Sequence, residues 1–132
     1  MNDLKRHVLI VDDDILIVMG LTSQVQAMGL TICGSASTAH QGVALAQLHR
    51  PQLVLMDMRL DGAEDGVDAA LAIHETVGSK VIFITGSQDP STIVRINLDH
   101  PFAVLIKPVS EGQLRRTIDD AIGLEPVAAD PG

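Results

Sequence analysis

The chain has 132 residues, a length that suits one domain with a core of its own. Its formal net charge at pH 7 is −8, and its only aromatic residues are two phenylalanines. Excess negative charge repels a polyphosphate backbone, and two phenylalanines are too few for a base-stacking platform, so we expect no direct nucleic-acid binding.

The cysteine content and the hydropathy of the chain indicate its cellular compartment. Cys33 is the single cysteine, which excludes an intrachain disulfide and a multi-cysteine metal site. No apolar run approaches the ~20 residues of a membrane span, and the apolar stretch near the N-terminus is too short for a signal peptide. We therefore expect a cytoplasmic protein without membrane contact.

Short apolar runs alternate with segments of helical period, which predicts five βα units around a parallel sheet covered on both faces. The predicted strands are apolar on both faces, as buried parallel strands are. They are His7–Val11, Thr31–Gly34, Leu53–Met56, Val81–Ile84 and Ala103–Ile106.

Start and stop signals place the first two helices. The first is predicted from an apolar stripe that stops at Gly29, and Asp14 is assigned to its N-cap. The second begins at Thr38, with Gln41 in capping-box spacing. The stripe of the first helix comprises Ile17, Leu21, Val25 and Met28.

The last three helices also begin at recognisable signals. The third follows Asp65 and Gly66, and the fourth begins at an aspartate–proline pair at positions 89 and 90. The fifth begins at Ser110, with Gln113 in capping-box register. Residues 124–132 carry two prolines and no periodicity, so we place one domain at residues 1–123 and expect the tail to fray.

Four predicted strands are followed by polar residues that suit one reaction. Asp12 and Asp13 follow the first strand, and the others are Asp57, Thr85 and Lys107. The carboxyl ends of parallel strands meet at one edge of the sheet, where α/β proteins bind ligands. Each residue alone is compatible with ordinary loop chemistry, but four coincident strand ends indicate one pocket.

The chemistry of such a pocket follows from its charges. Clustered carboxylates of Asp12, Asp13 and Asp57 would repel one another and favour a bound divalent cation. Magnesium fits best, because it prefers oxygen ligands and the histidines show no ligand spacing. With Lys107 and the metal neutralising phosphate oxygens, one carboxylate could attack phosphorus and form an acyl phosphate, and Asp57 is the central candidate.

These residues resemble the receiver domain of bacterial two-component response regulators, of the stand-alone single-domain type. VLIVDDD is similar to the family's first strand and acidic pair, and LVLMDMRL to its phosphoacceptor strand. FITGS is similar to its threonine/serine strand end, and LIKP to its lysine–proline turn. All four agree in order and approximate spacing over nearly the whole chain.

The resemblance implies a flavodoxin-like (βα)5 fold with sheet order 2-1-3-4-5. It implies that Asp57 accepts a phosphoryl group from a sensor histidine kinase or a histidine phosphotransfer protein. Mg2+ would be bound by Asp13, Asp57 and the Arg59 backbone carbonyl, with Asp12 acting through a water. Such a domain switches protein–protein interactions and is not an enzyme beyond its own phosphorylation and dephosphorylation.

The resemblance also assigns the switch. Thr85 would hydrogen-bond the phosphoryl group and shift inward, Lys107 would pair with its oxygens, and Pro108 would follow a cis peptide bond. The family often has an aromatic residue three positions before the lysine, where this chain has Val104. A β-branched side chain cannot swing between buried and exposed positions, so we expect a different route of switching. Phe102 is nearby but lies toward the strand start.

Two segments have open interpretations. The loop Arg59–Asp65 lacks the proline often found there and is one residue longer than the common pattern. It is either a plain solvated turn, which its composition favours, or an adaptation to a kinase or to the phosphoryl lifetime. By the resemblance, the side chains of Arg59 and Ser87 flank the phosphoryl group and influence its hydrolysis.

The predicted fourth helix is the second segment with an open interpretation. Ser91–Leu98 is more widely apolar than one buried stripe needs, through Ile93, Val94, Ile96 and Leu98. Together with the last strand and helix it could bind a downstream protein or form a homodimer. Uneven burial of a short helix explains the pattern equally well.

Two other function classes account for part of the pattern. A haloacid-dehalogenase-like phosphohydrolase would use Asp12 as nucleophile and Asp14 as acid, but it leaves Asp57 unexplained and lacks room for a cap domain. A receiver-like adaptor that binds partners without phosphorylation would not need the full set of acids with Thr85 and Lys107. The phosphorylated receiver accounts for all of these residues.

Overall fold

The computed structural model describes residues 7–58, 65–86, 90–98 and 100–123. Strands and helices alternate through these ranges. The strands are β1 His7–Val11, β2 Thr31–Ala36, β3 Leu53–Met56, β4 Lys80–Thr85 and β5 Ala103–Ile106. The helices are α1 Ile15–Ala27, α2 Ala39–His49, α3 Gly66–Thr76, α4 Pro90–Leu98 and α5 Glu111–Ile122.

The strands form one sheet in which every pair is parallel, in the order β2-β1-β3-β4-β5. The predicted fold class and strand order are confirmed. All four residues of the central strand β3 are buried, whereas the edge strands β2 and β5 are only partly covered. The order places the carboxyl ends of β1, β3, β4 and β5 side by side.

Two strands are longer than their apolar runs. β2 continues two residues beyond Gly34 to Ala36, and β4 includes both Lys80 and Thr85. Pairing with β1 carries β2 onward, because Ala36 is in register with Val11. An edge strand that is partly exposed needs no continuous apolar pattern, so hydropathy underestimates its length.

The core consists of two apolar layers, one on each face of the sheet. On one face α2, α3 and α4 pack through Ala39, Ala46, Val67, Ala70, Ile73 and Ile96 against Leu9, Val11, Val54, Met56, Val81 and Phe83. On the other face α1 and α5 pack through Val18, Leu21, Val25, Leu114, Ile118 and Ala121 against Val8, Ile10, Leu53, Leu55, Ile82, Ile84 and Leu105.

The buried stripe of α1 differs by one position from the predicted one. Leu21 and Val25 are buried as predicted, but Val18 is buried in place of Ile17. Ile17 and Met28 pack against the same layer and stay partly exposed. A stripe of period 3.6 can begin at either neighbour, and the angle at which the helix meets the sheet selects one.

The predicted helix caps are confirmed for three helices. The side chains of Asp14, Thr38 and Ser110 each accept a hydrogen bond from a backbone N–H in the first turn of α1, α2 and α5. The reciprocal bond predicted for α2 is displaced. Gln41 Oε1 accepts from the backbone N–H of Ser37, 3.1 Å away, instead of from Thr38.

The described ranges contain no helix that could span a membrane, and their single cysteine is partly buried. None of their helices has the length and apolarity to cross a bilayer. Cys33 is half-buried in β2, and burial raises the pKa of its thiol. A raised pKa keeps the thiol protonated and unreactive, which favours the interpretation of Cys33 as a packing residue.

The first turn of α3 packs tightly against the end of β3. The Gly66 N–H donates to the Met58 carbonyl oxygen at 2.9 Å, and a Cβ at Gly66 would overlap the Asp57 carbonyl oxygen. The turn is fixed by a reciprocal capping box between Asp65 and Asp68. Only a residue without a side chain permits this approach of the helix to the strand.

We predict that Gly66→Ala destabilises the protein by roughly 1–3 kcal/mol or more, because the added methyl group must displace backbone. Gly20→Ala is the matched control, since an added Cβ on this α1 glycine meets no atom within 4 Å. The control should gain about 0.4–1 kcal/mol, because alanine restricts the unfolded chain and favours the helix. Urea unfolding followed by circular dichroism measures both, and equal stabilities would contradict the packing argument.

Candidate functional site

The candidate site lies at the carboxyl edge of the sheet. Asp12, Asp57 and Lys107 are the first residues after β1, β3 and β5, and a backbone hydrogen bond to the neighbouring strand holds each of these three in place. These bonds are Asp12 N–H to Ala36 O at 2.9 Å, Asp57 N–H to Val11 O at 2.8 Å and Lys107 N–H to Thr85 O at 2.8 Å. The ladder therefore extends one residue past the strands and sets the spacing of the side chains.

Three carboxylates converge at this edge. One oxygen each from Asp12, Asp13 and Asp57 lies within 4.8 Å of the others. Asp12 and Asp57 are buried, whereas Asp13 is exposed. The Asp14 backbone N–H donates to Asp12 Oδ1 at 2.9 Å, while the Asp14 carboxylate caps α1. Asp14 therefore orients the cluster without belonging to it.

Lys107 places an ammonium group beside the two buried carboxylates. Its Nζ is 3.6 Å from Asp12 Oδ2 and 3.7 Å from Asp57 Oδ1. These distances are longer than a charge-assisted hydrogen bond, so the attraction is mainly Coulombic. Three carboxylates against one ammonium leave negative charge in excess, which favours a cation at this point.

Thr85 and Gly86 also lie at the candidate site. Thr85 ends β4 and is only 2% exposed. Both residues line one open cavity of about 430 Å³, and its other lining residues are Asp12, Asp13, Asp14, Asp57 and Lys107. The structure thus brings together the side chains that the four strand ends suggested.

Some predicted site residues lie outside the described ranges. They are Arg59, whose carbonyl the resemblance makes a metal ligand, and Ser87. Most of the loop Arg59–Asp65 lies outside them as well, so both interpretations of that loop stay open. The peptide bond between Lys107 and Pro108 is cis.

Val104 takes the position at which the family often has an aromatic ring. It pairs in register with Phe83 of β4 and packs, partly buried, against the layer formed by α2, α3 and α4. Thr85 lies two residues farther along β4 than Phe83. Valine is short and β-branched, so it cannot swing between a buried and an exposed position as an aromatic ring can.

Phe102 does not replace the missing ring. Its backbone N–H donates to the Val81 carbonyl oxygen at 2.8 Å, near the start of β4. Val81 lies four residues before Thr85, roughly 13 Å along an extended strand. The Phe102 ring is 42% exposed and lies under the Lys80 ammonium, 5.3 Å from it. The ring therefore lies near the amino ends of the strands, away from the candidate site.

Two features near the site were missed from the sequence. The sequence marks Asp65 and Gly66 only as a helix start, although Gly66 packs directly on the Asp57 backbone. Arg95 of α4 carried no signal at all, yet its Nη1 lies 2.9 Å from Asp65 Oδ2. An ion pair between two helices depends on their separation, which local patterns do not contain.

Residues 8–119 match the family model of the response regulator receiver domain. The chain is 33% identical over 117 residues to the transcriptional regulatory protein PdtaR of Mycobacterium tuberculosis, covering 89% of this chain and 57% of that protein. It is 30% identical over 121 residues to the phyllosphere-induced regulator PhyR of Methylorubrum extorquens, covering 91% of this chain and 45% of that protein. The chain thus spans about half the length of these curated relatives.

Solved structures agree. The signal receiver domain of a modulated diguanylate cyclase from Desulfovibrio desulfuricans has a TM-score of 0.84 and 36% identity, over 89% of this chain and 94% of that one. A CheY-like receiver domain protein from Methanospirillum hungatei has a TM-score of 0.83 and 26% identity, over 90% and 94%. With the sheet order and the acidic edge already established, this chain belongs to the receiver domain family of two-component response regulators.

Proposed function

We propose that Asp57 accepts a phosphoryl group from the phosphohistidine of a sensor histidine kinase or a histidine phosphotransfer protein, and that the acyl phosphate switches a protein–protein interaction. The observation that carries the proposal is the convergence of three carboxylates within 4.8 Å, with the Lys107 ammonium beside two of them. Family membership supports it, because receiver domains are signalling modules of this kind.

The transfer needs only groups that the site and the donor provide. A carboxylate oxygen of Asp57 attacks phosphorus as the phosphorus–nitrogen bond breaks, and the electron pair leaves with the donor imidazole nitrogen. The Lys107 Nζ, 3.7 Å from Asp57 Oδ1, is close enough to neutralise oxygens of the transferred group. Burial of Asp57 strengthens this attraction, since water screens it less.

The acidic cluster fits a magnesium ion. Asp12, Asp13 and Asp57 offer only oxygen ligands, and the open cavity of about 430 Å³ leaves room for the waters that Mg2+ retains. In this proposal Asp13 and Asp57 bind the ion directly with the Arg59 carbonyl, and Asp12 binds through a water. When bound, the ion supplies neutralisation and alignment of the phosphoryl oxygens.

Thr85 is proposed to hydrogen-bond the phosphoryl group and to move toward it. It ends β4 next to the strand that carries Asp57, and it lines the same cavity. α4 begins five residues later, at Pro90, so a shift at Thr85 would reach that helix. Because Val104 cannot swing, α4 itself is the better carrier of the signal.

The surface around the site supports protein partners on two sides. Ile15, Leu16 and Met19 of α1 are 66%, 74% and 61% exposed directly after the acids, where a phosphoryl donor must approach. On α4, Val94 and Leu98 are 59% and 73% exposed, whereas Ile96 is fully buried. We assign the α1 surface to the donor and the α4 surface, with β5 and α5, to a downstream protein or a second copy.

The rival functions have less support from the geometry. A phosphohydrolase using Asp12 needs Asp14 as its acid, but the Asp14 carboxylate accepts the Leu16 N–H and caps α1. An adaptor without phosphorylation gives no reason for two buried carboxylates to be held close to Lys107. Burying charged groups costs free energy, which a binding surface alone would not require.

We expect incubation with a small phosphodonor and Mg2+ to add one phosphoryl group, measured by intact mass, and Asp57→Asn to abolish the gain. Asp14→Asn is the matched control, because it removes a charge from the same cavity while asparagine still caps α1. It should be modified like the wild type. Repeated turnover that depends on Asp12 would support the hydrolase instead, and no modification at all would support the adaptor.

Magnesium should raise the free energy of unfolding, because it binds the folded acidic cluster and relieves the repulsion there. The gain follows RT ln(1 + [Mg2+]/Kd), about 1.4 kcal/mol at ten times the dissociation constant. Asp13→Asn should lose most of it, and Asp14→Asn should keep it. Thermal unfolding by circular dichroism with and without Mg2+ tests this, and equal gains for all three proteins would refute the assigned ligands.

Lys107→Ala should leave the fold intact and permit some phosphorylation of Asp57, but it should weaken the response. Phosphorylation should change the rate of amide hydrogen exchange in α4 of the wild type. The same change should be smaller in the phosphorylated variant. Lys80→Ala is the control, because Lys80 lies at the amino end of β4, away from the site, and this variant should behave like the wild type. An undiminished response in phosphorylated Lys107→Ala would contradict the role.

A further inference from the structure

The Asp65 carboxylate joins two helices. Its Oδ1 accepts the backbone N–H groups of Val67 and Asp68, at 3.0 and 3.2 Å, and so caps α3. Its Oδ2 accepts from Arg95 Nη1 of α4 at 2.9 Å. One side chain therefore holds the first turn of α3 and the middle of α4 at the same time.

The carboxylate is ionised under ordinary conditions. Partial burial alone would raise the pKa of Asp65, but hydrogen bonds from Arg95 and from backbone N–H groups of α3 together lower the pKa below its usual value. The cap and the ion pair both depend on this charge. They are consequently present together at neutral pH.

The same turn of α3 contacts the phosphoacceptor. Gly66, next to Asp65, leaves no space for a Cβ against the Asp57 carbonyl oxygen, and its N–H donates to Met58 O at 2.9 Å. A displacement of this turn toward β3 would therefore press on the backbone that carries Asp57. Close-packed backbone transmits such a shift because it has no free volume to absorb it.

α4 follows the β4 strand along the chain and packs against the sheet. Thr85 is the last residue of β4, and α4 begins at Pro90. Ile96, adjacent to Arg95, is fully buried against the sheet and fixes the middle of the helix. Arg95 therefore extends from the anchored part of α4 toward the turn that contacts Asp57.

We propose that Arg95 is a positioning residue for phosphorylation: through Asp65 it ties α4 to the turn of α3 that packs against the Asp57 backbone. The inference rests on the proposed function of Asp57. The tie links the position of α4 to the geometry of the acceptor, and this linkage is reciprocal, so a partner that moves α4 changes phosphorylation. It offers a coupling route in a chain whose aromatic position is Val104.

The expected effects are moderate. The Arg95 and Asp65 side chains are 47% and 31% exposed, and water weakens ion pairs that are this accessible. We therefore expect changes of about two- to fivefold in rates rather than loss of activity.

The test uses three variants and a control. Arg95→Gln and Asp65→Asn each remove one charge, and asparagine retains the helix cap. The double variant shows whether the two residues act as one unit. Arg115→Gln, an exposed arginine of α5 without an ion pair in the described ranges, controls for the loss of a positive charge.

The first measurement is amide hydrogen exchange of the unphosphorylated protein. α4 and the first turn of α3 should exchange severalfold faster in both single variants, with no further gain in the double variant. Arg115→Gln should match the wild type. Unchanged exchange in Arg95→Gln would overturn the tie, and this result does not depend on whether Asp57 is ever phosphorylated.

The second measurement is the rate of Asp57 phosphorylation by a small phosphodonor with Mg2+. The rate should fall about two- to fivefold in either single variant and no further in the double, and Arg95→Lys should restore most of it. A wild-type rate in variants whose α4 exchanges faster would overturn the positioning role. An unmodified wild-type protein would refute both the proposed function and this role, whatever the exchange data show.

Discussion

Parallel pairing of neighbouring strands is the constraint on which the site depends. The backbone ladder continues one residue beyond β1, β3 and β5, through bonds made by Asp12, Asp57 and Lys107. These bonds place carboxylates and an ammonium group from distant parts of the chain within 3.7 Å. A one-residue change of register would turn each side chain to the other face and separate them. The chemistry of the edge is thus a consequence of backbone hydrogen bonding.

Holding these acidic side chains together costs electrostatic free energy. Asp12 and Asp57 are buried beside each other with Asp13 close by, and Lys107 offsets only part of their charge. Such a cluster is not explained by a gain in the stability of the fold, and its excess negative charge favours a bound cation. The surrounding packing is correspondingly strict. Gly66 fits against the Asp57 carbonyl only because it has no side chain, so the start of α3 depends on that contact.

In the proposed function, switching works without an aromatic ring at the position where the family often has one. Val104 pairs with Phe83, packs against the apolar layer and cannot swing between a buried and an exposed position. α4 follows Thr85 along the chain, is anchored by Ile96, and contacts the first turn of α3 through Arg95 and Asp65. In the proposed function, these contacts of α4 would carry the phosphorylation signal by movement of the helix as a body.

The sequence by itself determined the fold class, the central strands and the helix starts, because buried runs and caps such as Asp14, Thr38 and Ser110 are local signals. It also identified the candidate site residues, because a polar residue at the end of a short apolar run can be recognised in the sequence. It failed at the partly exposed end of β2 and in choosing Ile17 over Val18. Only the tertiary structure decided that Gly66 touches Asp57 and that Arg95 reaches Asp65. Both contacts depend on distances between packed elements, which no local pattern encodes.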